Sequence, residues 1–326
     1  MQLDKQEQFK EDWAVKNRIQ YQPYGCGFLY RLFLPVMVLF WVMLPGPALG
    51  EKIVTDQLGR RVVLTDNPKR IVALAPSITE ILFAIGQGSR VVGVTEFSNY
   101  PPEAAALPMV GSYVQLDIEK ILSLQPDLCI ATRDGNPIEV ISILESLNIP
   151  IYAVDPRNLK TVMETVQELG GLLDARTPAR EVIARMEERI QRIENRVSEA
   201  RTRPKVFYQI GISPIISAGT NSCIHELIEM AGGDNIAKGP ASYPRMSYEQ
   251  VLALSPDIII VTSMAKGIVF ETVKKEWGQW QDIPAVKNNR ITLINSDILD
   301  RPTPRLVEGL EMLVDILHPR VPEENH

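Results

Sequence analysis

The 326-residue chain has only three histidines, His225, His318 and His326. The first opens HELIE, residues 225–229, which is half of the HExxH pattern. In that pattern two imidazoles one helical turn apart grip zinc and the intervening glutamate serves as base. Glu229 stands where the second histidine is required, so the zinc site fails and His225 reads as a helix-surface or core-edge residue. A nucleophile elbow GxSxG and a phosphate loop GxxxxGK[ST] are both absent. GQG at 86–88 has no third glycine and follows a helical pattern instead of a strand, so it does not make a dinucleotide fingerprint. No pair of carboxylates is singled out by spacing for acid–base work, and the expectation is a protein that is not an enzyme and holds no metal or cofactor. A zinc- or iron-dependent hydrolase on a similar scaffold is disfavoured by the histidine count.

Two acidic residues do stand out, because the chain repeats their surroundings. DIEKILSLQPDLCIAT, residues 117–132, matches SYEQVLALSPDIIIVT, residues 247–262, at seven of sixteen positions, and each copy carries its glutamate, Glu119 or Glu249, at the same place. In each copy a capping residue (Asp117 or Ser247) opens a short amphipathic helix, a proline (Pro126 or Pro256) closes it, and a wholly apolar strand follows. Strands this uniformly apolar are covered on both faces, as in a parallel sheet of α/β units. ITEILFAIG at 78–86 echoes IHELIEMAG at 224–232, and IPIYAVD at 149–155 echoes NRITLINSD at 289–297 more weakly. Three elements recurring in one order predict two lobes of similar topology.

The elements around the repeats complete the plan. Residues 51–69 read as a β-hairpin with a Leu-Gly turn, RIVALA at 70–75 as a buried strand, and VVGV at 91–94 as the next strand, with a long loop over 95–116. Val182, Ile183, Met186, Ile190, Ile193 and Val197 recur at helical spacing within a charged stretch, which predicts one stiff connecting helix of about twenty residues. The fold class is therefore α/β: two α/β lobes with mainly parallel sheets, one long connecting helix, and a ligand cleft between the lobes. The expected boundaries are 1–50 for an N-terminal extension, 51–158 for the first lobe, 159–203 for the connecting segment and 204–326 for the second lobe. In open α/β sheets ligands bind beyond the carboxyl ends of the strands. Here those ends are Pro76–Ser77, Phe97, Thr132–Asn136 and Asp155 in one lobe, with Gln209–Gly211, Thr262–Gly267 and Ser296–Asp297 in the other.

Composition narrows the partners. A net charge of −6 excludes the basic excess of a nucleic-acid binder, and 45 % hydrophobic with 23 % charged residues is ordinary for a globular chain. RLFLPVMVLFWVMLPGPALG at 31–50 has a basic residue, an apolar run too short for a span of about 20 residues, helix breakers and small residues before Glu51. It reads as an export signal, with an uncleaved anchor as the alternative, so the expected location is periplasmic or otherwise extracytoplasmic. Residues 1–30 are long and acidic for such a leader. Cys129 and Cys223 fall in different halves and are expected as buried thiols, not a disulfide.

The order PKRIVALAPSITEILFAIG, VVGVTEFSNYPPEA, DIEKILSLQPDLCIAT resembles the solute-binding proteins of ABC importers for siderophores, haem and vitamin B12, over roughly residues 52–318. TEFSNYPP, ATRDGN, FYQIGISP, SYPRMSYEQVLALSP and SDILDRPTPR are most similar to the vitamin B12-binding members. The resemblance implies a corrinoid clamped between the lobes, as a transported ligand and not a cofactor, by Phe97, Tyr113, Arg133, Asn136, Tyr243, Asp297, Ile298, Leu299, Asp300 and Arg301. It also implies a monomer whose partner is an importer's membrane permease dimer, met by one glutamate per lobe, Glu119 and Glu249. A first-turn glutamate otherwise complements the helix dipole, worth about 0.3–1 kcal/mol. Tyr113 and Tyr243 stand where tryptophan is expected, Phe97 where tyrosine is, and Thr132 where a further aromatic is. A ferric siderophore or haem is the alternative ligand, and the basic candidates for an anionic chelate are Arg133, Arg245, Lys266 and Arg301. An anchored interaction protein with no small ligand is a third reading.

Overall fold

The computed structural model describes residues 51–263 and 268–319. The calls on residues 1–50, on Lys266 and on the C-terminal His326 therefore lie outside the described residues. Alternating side chains over β1 (Glu51–Thr55) and β2 (Arg61–Thr65) pair antiparallel, from Glu51 opposite Thr65 to Thr55 opposite Arg61. Buried Asp56 forms their turn by accepting from the backbone N–H of Leu58 and Arg60, and Gly59 supplies the positive φ of 76°.

The first sheet follows. β3 (Ile71–Ala73) leads into α1 (Pro76–Ala84), with Pro76 in its first turn, and β4 (Val91–Val94) comes next. The stretch expected as one loop carries a 3-10 turn at Pro102–Ala106 and a small hairpin, β5 (Gly111–Ser112) with β6 (Gln115–Leu116). Then come α2 (Ile118–Ser123), β7 (Leu128–Thr132), α3 (Ile138–Ser146) and β8 (Ile151–Val154). The strand order is β4-β3-β7-β8, all parallel.

Two helices occupy the connecting segment, where the periodicity predicts one. α4 (Leu159–Leu172) opens on an Asn158–Thr161 capping box, and α5 (Arg176–Ser198) runs for 23 residues, about 35 Å at 1.5 Å per residue. Asp174, at a positive φ of 56°, turns the chain between them. Gly170 belongs to this corner because a Cβ there would lie 2.4 Å from the Ala179 Cβ, so only glycine lets the two helices approach.

The second sheet repeats the first. β9 (Lys205–Ile212), β10 (Ile215–Ser217), α6 (Cys223–Met230), β11 (Asp234–Asn235), α7 (Tyr248–Leu254) and β12 (Ile258–Ser263) come first. α8 (Ile268–Trp277), α9 (Pro284–Lys287), β13 (Ile291–Asn295), α10 (Ser296–Leu299) and α11 (Leu306–Leu317) complete the described chain. β9, β12 and β13 run parallel in that order, β11 adds parallel to β9, and β10 folds back antiparallel. The echoed segments land on equivalent elements: α1 with α6, α2 with α7, β7 with β12 and β8 with β13.

Strand residues alternate between two cores, which is why the strands are apolar throughout. Ile71, Ala73, Leu128 and Ile130 face the core shared with α1, α4 and α5, whereas Val72, Cys129 and Ala131 face the one under α2 and α3. The first of these cores is continuous through Val182, Met186 and Ile193 of α5 into Val206, Tyr208, Ile258 and Ile260 of the second sheet. Arg189 of α5 also pairs with Glu311 of α11 at 2.6 Å. The connector is thus packed into a core shared by both sheets.

Candidate functional site

Backbone direction places the site. The parallel strands of each sheet deliver their carboxyl ends to loops, and bonds between those loops show that the two sets meet. Asn99, beyond β4, donates from Nδ2 to Asp297 Oδ2 in α10 at 2.8 Å. Arg301, just after α10, donates to Glu80 of α1 at 3.0 Å, to Asn99 Oδ1 at 3.0 Å and to the Phe97 carbonyl at 2.9 Å. The guanidinium of Arg305 lies 4.0 Å over the Tyr100 ring.

The candidate aromatic residues lie on loops of both lobes, Phe97 and Tyr113 in the first and Tyr243 in the second. Phe97 is 42 % and Tyr243 62 % exposed. Tyr113 packs over Gly135, whose φ of +138° brings the backbone under the ring. Desolvation raises the Tyr243 phenol, and the charges of Asp300 on its own lobe and Asp134 on the other add to this, although the residue as a whole is 62 % exposed.

Several expected contact residues have other work. Asn136 is buried; its amide donates to the Leu74 and Tyr113 carbonyls and its oxygen accepts from the Thr132 N–H, so it shapes the β7 loop. Ile298 and Leu299 are 9 % and 1 % exposed, because SDIL forms a helical turn that puts both side chains in the core instead of the cleft. Arg133 pairs with Asp155 at 3.1 Å, and Arg157 holds the same carboxylate at 2.7 Å. Arg245 is exposed. His225 Nδ1 lies 3.2 Å from Asn235 Nδ2, a core-edge arrangement, and among the described residues no cluster of His, Cys, Asp and Glu could hold a metal. Cys129 is buried with its thiol pushed up to about 12 by burial, and Cys223 is likewise a free thiol.

Glu80 was missed as a site residue. It is 3 % exposed, its Oε2 lies 3.7 Å from Arg305 Nη1, and burial raises its carboxyl against the pull of Arg301 and Arg305. Its only sequence signal is a charged residue on the apolar face of α1, between Ile78 and Ile81.

Asp300 sits at the cleft wall. The residue is exposed as a whole, and its carboxylate accepts from the Tyr208 hydroxyl at 2.8 Å. Burial pushes this carboxyl up to about 6, against the hydroxyls of Tyr208 and Thr262 and the charge of Arg301, while Asp297 adds repulsion. A carboxyl raised in the fold contributes stability that is fully present below the ordinary value of 3.8 and is lost as pH rises through about 6. The melting midpoint is therefore expected to fall as pH rises from 3.8 to about 6, with Asp300 contributing about 1 kcal/mol once its solvent exposure is discounted. Asp300→Asn keeps an acceptor for Tyr208 and cannot ionise, so its melting curve should be flatter over that window. An unchanged pH profile in the variant would remove Asp300 as the source.

Two α/β lobes of matching topology, joined through helices and bonded to each other through the loops at their strand ends, have the architecture of a two-lobed solute-binding protein. Residues 71–298 match the model of the periplasmic binding protein family, and the chain belongs to that family. It is 34 % identical over 254 residues to the vitamin B12-binding protein of Vibrio cholerae, covering 76 % of this chain and 89 % of that one. The corresponding protein of Vibrio parahaemolyticus is 31 % identical over 244 residues, covering 74 % and 86 %. Among solved structures, the periplasmic vitamin B12-binding protein of Vibrio cholerae superposes with a TM-score of 0.68 at 31 % identity, over 77 % of this chain and 96 % of that one. A periplasmic haem-binding protein from Roseiflexus superposes with a TM-score of 0.70 at 28 % identity, over 77 % and 98 %.

Proposed function

We propose that this chain is an extracytoplasmic solute-binding protein that carries a corrinoid, cobalamin, to an ABC importer. The cleft chemistry supports this reading most directly. Phe97, Tyr113 and Tyr243 offer apolar faces from both lobes, whereas two of the four basic candidates, Arg133 and Arg301, are already ion-paired within the protein. A flat, bulky ligand with little net charge fits such walls, and an anionic chelate needs free cations. The names carried by the Vibrio relatives point the same way. Residues 1–50 would direct export, the protein would act as a monomer, and Glu119 and Glu249 would each meet a basic patch on one permease subunit. A twofold partner needs one anchor per lobe, and charge pairs there would steer and register the complex.

Haem is the second reading, favoured by the exposed Tyr243 phenol, since phenols can ligate haem iron, and by the haem-binding structural relative. Titration calorimetry against cyanocobalamin, cobinamide, haem and a ferric siderophore separates them. Saturable one-to-one heat with the two corrinoids is the expected result. Heat with haem or the siderophore alone would keep the fold and reassign the ligand.

A further inference from the structure

A carboxylate in the position of Glu80 has to be explained by its partners. Burying an unpaired charge is prohibitive, so its ion pairs must come from elements packed against α1. They come from 221 residues further along the chain, where Arg301 Nη1 donates to Glu80 Oε1 at 3.0 Å. Arg305 Nη1 stands 3.7 Å from the other oxygen, and the buried Thr303 hydroxyl also acts on this carboxylate.

Arg301 is the hub. Its side chain is 11 % exposed, and its two terminal nitrogens serve Glu80, Asn99, the Phe97 carbonyl and Asp297. Asn99 closes the ring by donating to Asp297. Glu80, Phe97, Asn99 and Tyr100 belong to the first lobe, whereas Asp297, Arg301 and Arg305 belong to the second. With its fork spent on four protein acceptors, Arg301 has little left for a ligand anion. A buried ion pair is also a poor choice for stability alone, because an apolar replacement of equal volume often does as well. What a network of fixed-length, directional bonds does supply is geometry.

We propose that Glu80 is the positioning residue of the cleft: by holding Arg301 and Arg305 it clasps the 97–100 loop to the 297–305 segment and fixes the separation of the aromatic walls before the ligand arrives. The effect on ligand binding rests on the corrinoid reading; the effect on lobe separation does not.

The test uses the full-length chain with Cys26→Ser and Cys223→Ser, buried Cys129 retained, and spin labels at Glu139→Cys in α3 and Lys275→Cys in α8, both exposed. Pulsed dipolar spectroscopy of the unliganded protein should give one narrow distance distribution. Glu80→Gln should broaden it, and so should Asn99→Ala, a surface change that removes two of the inter-lobe bonds and does not threaten folding. Arg301→Lys keeps the charge without the fork and should not restore the narrow distribution. Cyanocobalamin affinity should fall about tenfold in Glu80→Gln, the loss expected if only about a tenth of the molecules hold the competent separation. Saturating ligand should narrow the distribution again. Variants that melt earlier yet keep the wild-type distance distribution would show a merely structural ion pair and overturn the proposal. If cyanocobalamin binds neither wild type nor variants, the corrinoid reading falls while the unliganded distances still decide the clasp.

Discussion

The double variant Glu119→Ala/Glu249→Ala is expected to bind cyanocobalamin with wild-type affinity and to lose stimulation of the importer in reconstituted vesicles. Each glutamate lies in the first turn of its helix, exposed, at equivalent places in the two lobes. Neither is needed to start the helix. Asp117 already accepts from the Lys120 N–H, and Ser247 with Gln250 forms a reciprocal capping box. The Glu249 carboxyl is held below the usual range by Ser247 and its own backbone N–H, so it is charged at any physiological pH. Removing both charges should therefore cost the fold only their small, solvent-screened interaction with the helix dipole. Losing a charge pair at an interface costs more, about 2–5 kcal/mol where the pair is desolvated, which is a factor of roughly 30 or above for each site. Single variants should fall between wild type and the double. Wild-type stimulation by the double variant would end the docking assignment and leave ligand binding untouched.

The repeat that exposed these glutamates was legible because most of its positions have structural duties that sequence reasoning handles well. Its Pro-Asp step is an example: Asp127 accepts from the backbone N–H groups of Lys69 and Arg70, and Asp257 accepts from that of Lys205, so each aspartate fastens the chain just before the neighbouring strand. The apolar runs gave the parallel sheets, since residues alternating between two cores leave no polar position to break the pattern. Helix count was harder, because α4 and α5 share one amphipathic composition and only a positive-φ turn at Asp174 divides them. The candidate site was legible only in where its residues sit along the chain. Phe97, Tyr113 and Tyr243 lie on loops, but Asp297 to Arg301, expected together as ligand contacts, begin within the helical turn Ser296–Leu299. That winding sends Ile298 and Leu299 inward and turns Arg301 toward Glu80. No local pattern announces a partner more than two hundred residues away, and a glutamate in the first turns of a helix looks like an ordinary dipole residue until its burial is known.

Trp277→Ala should produce the largest loss of stability, about 3–5 kcal/mol, and a drop in melting midpoint of roughly 10 °C for a domain of this size. The indole is fully buried at the end of α8, edge-on to Phe207 at 5.7 Å and tilted against Tyr248 at 5.0 Å. Its Nε1–H donates to Gln209 Oε1 at 2.8 Å, and that glutamine, itself buried, donates onward to the Gly211 carbonyl at 3.1 Å. One side chain thus fills a core and satisfies a polar group in the carboxyl half of β9. Trp277→Phe separates the two roles, because it restores most of the volume and leaves the Gln209 oxygen without its donor, at a cost of about 1–3 kcal/mol. Thermal melts of both variants should rank wild type above Trp277→Phe above Trp277→Ala. Gln209 released from its anchor no longer holds the β9–β10 turn, so Trp277→Phe should also weaken ligand binding while the second lobe stays folded. A Trp277→Ala protein melting within two or three degrees of wild type would mean that α8 contributes little to the second core, and the link from indole to cleft would go with it.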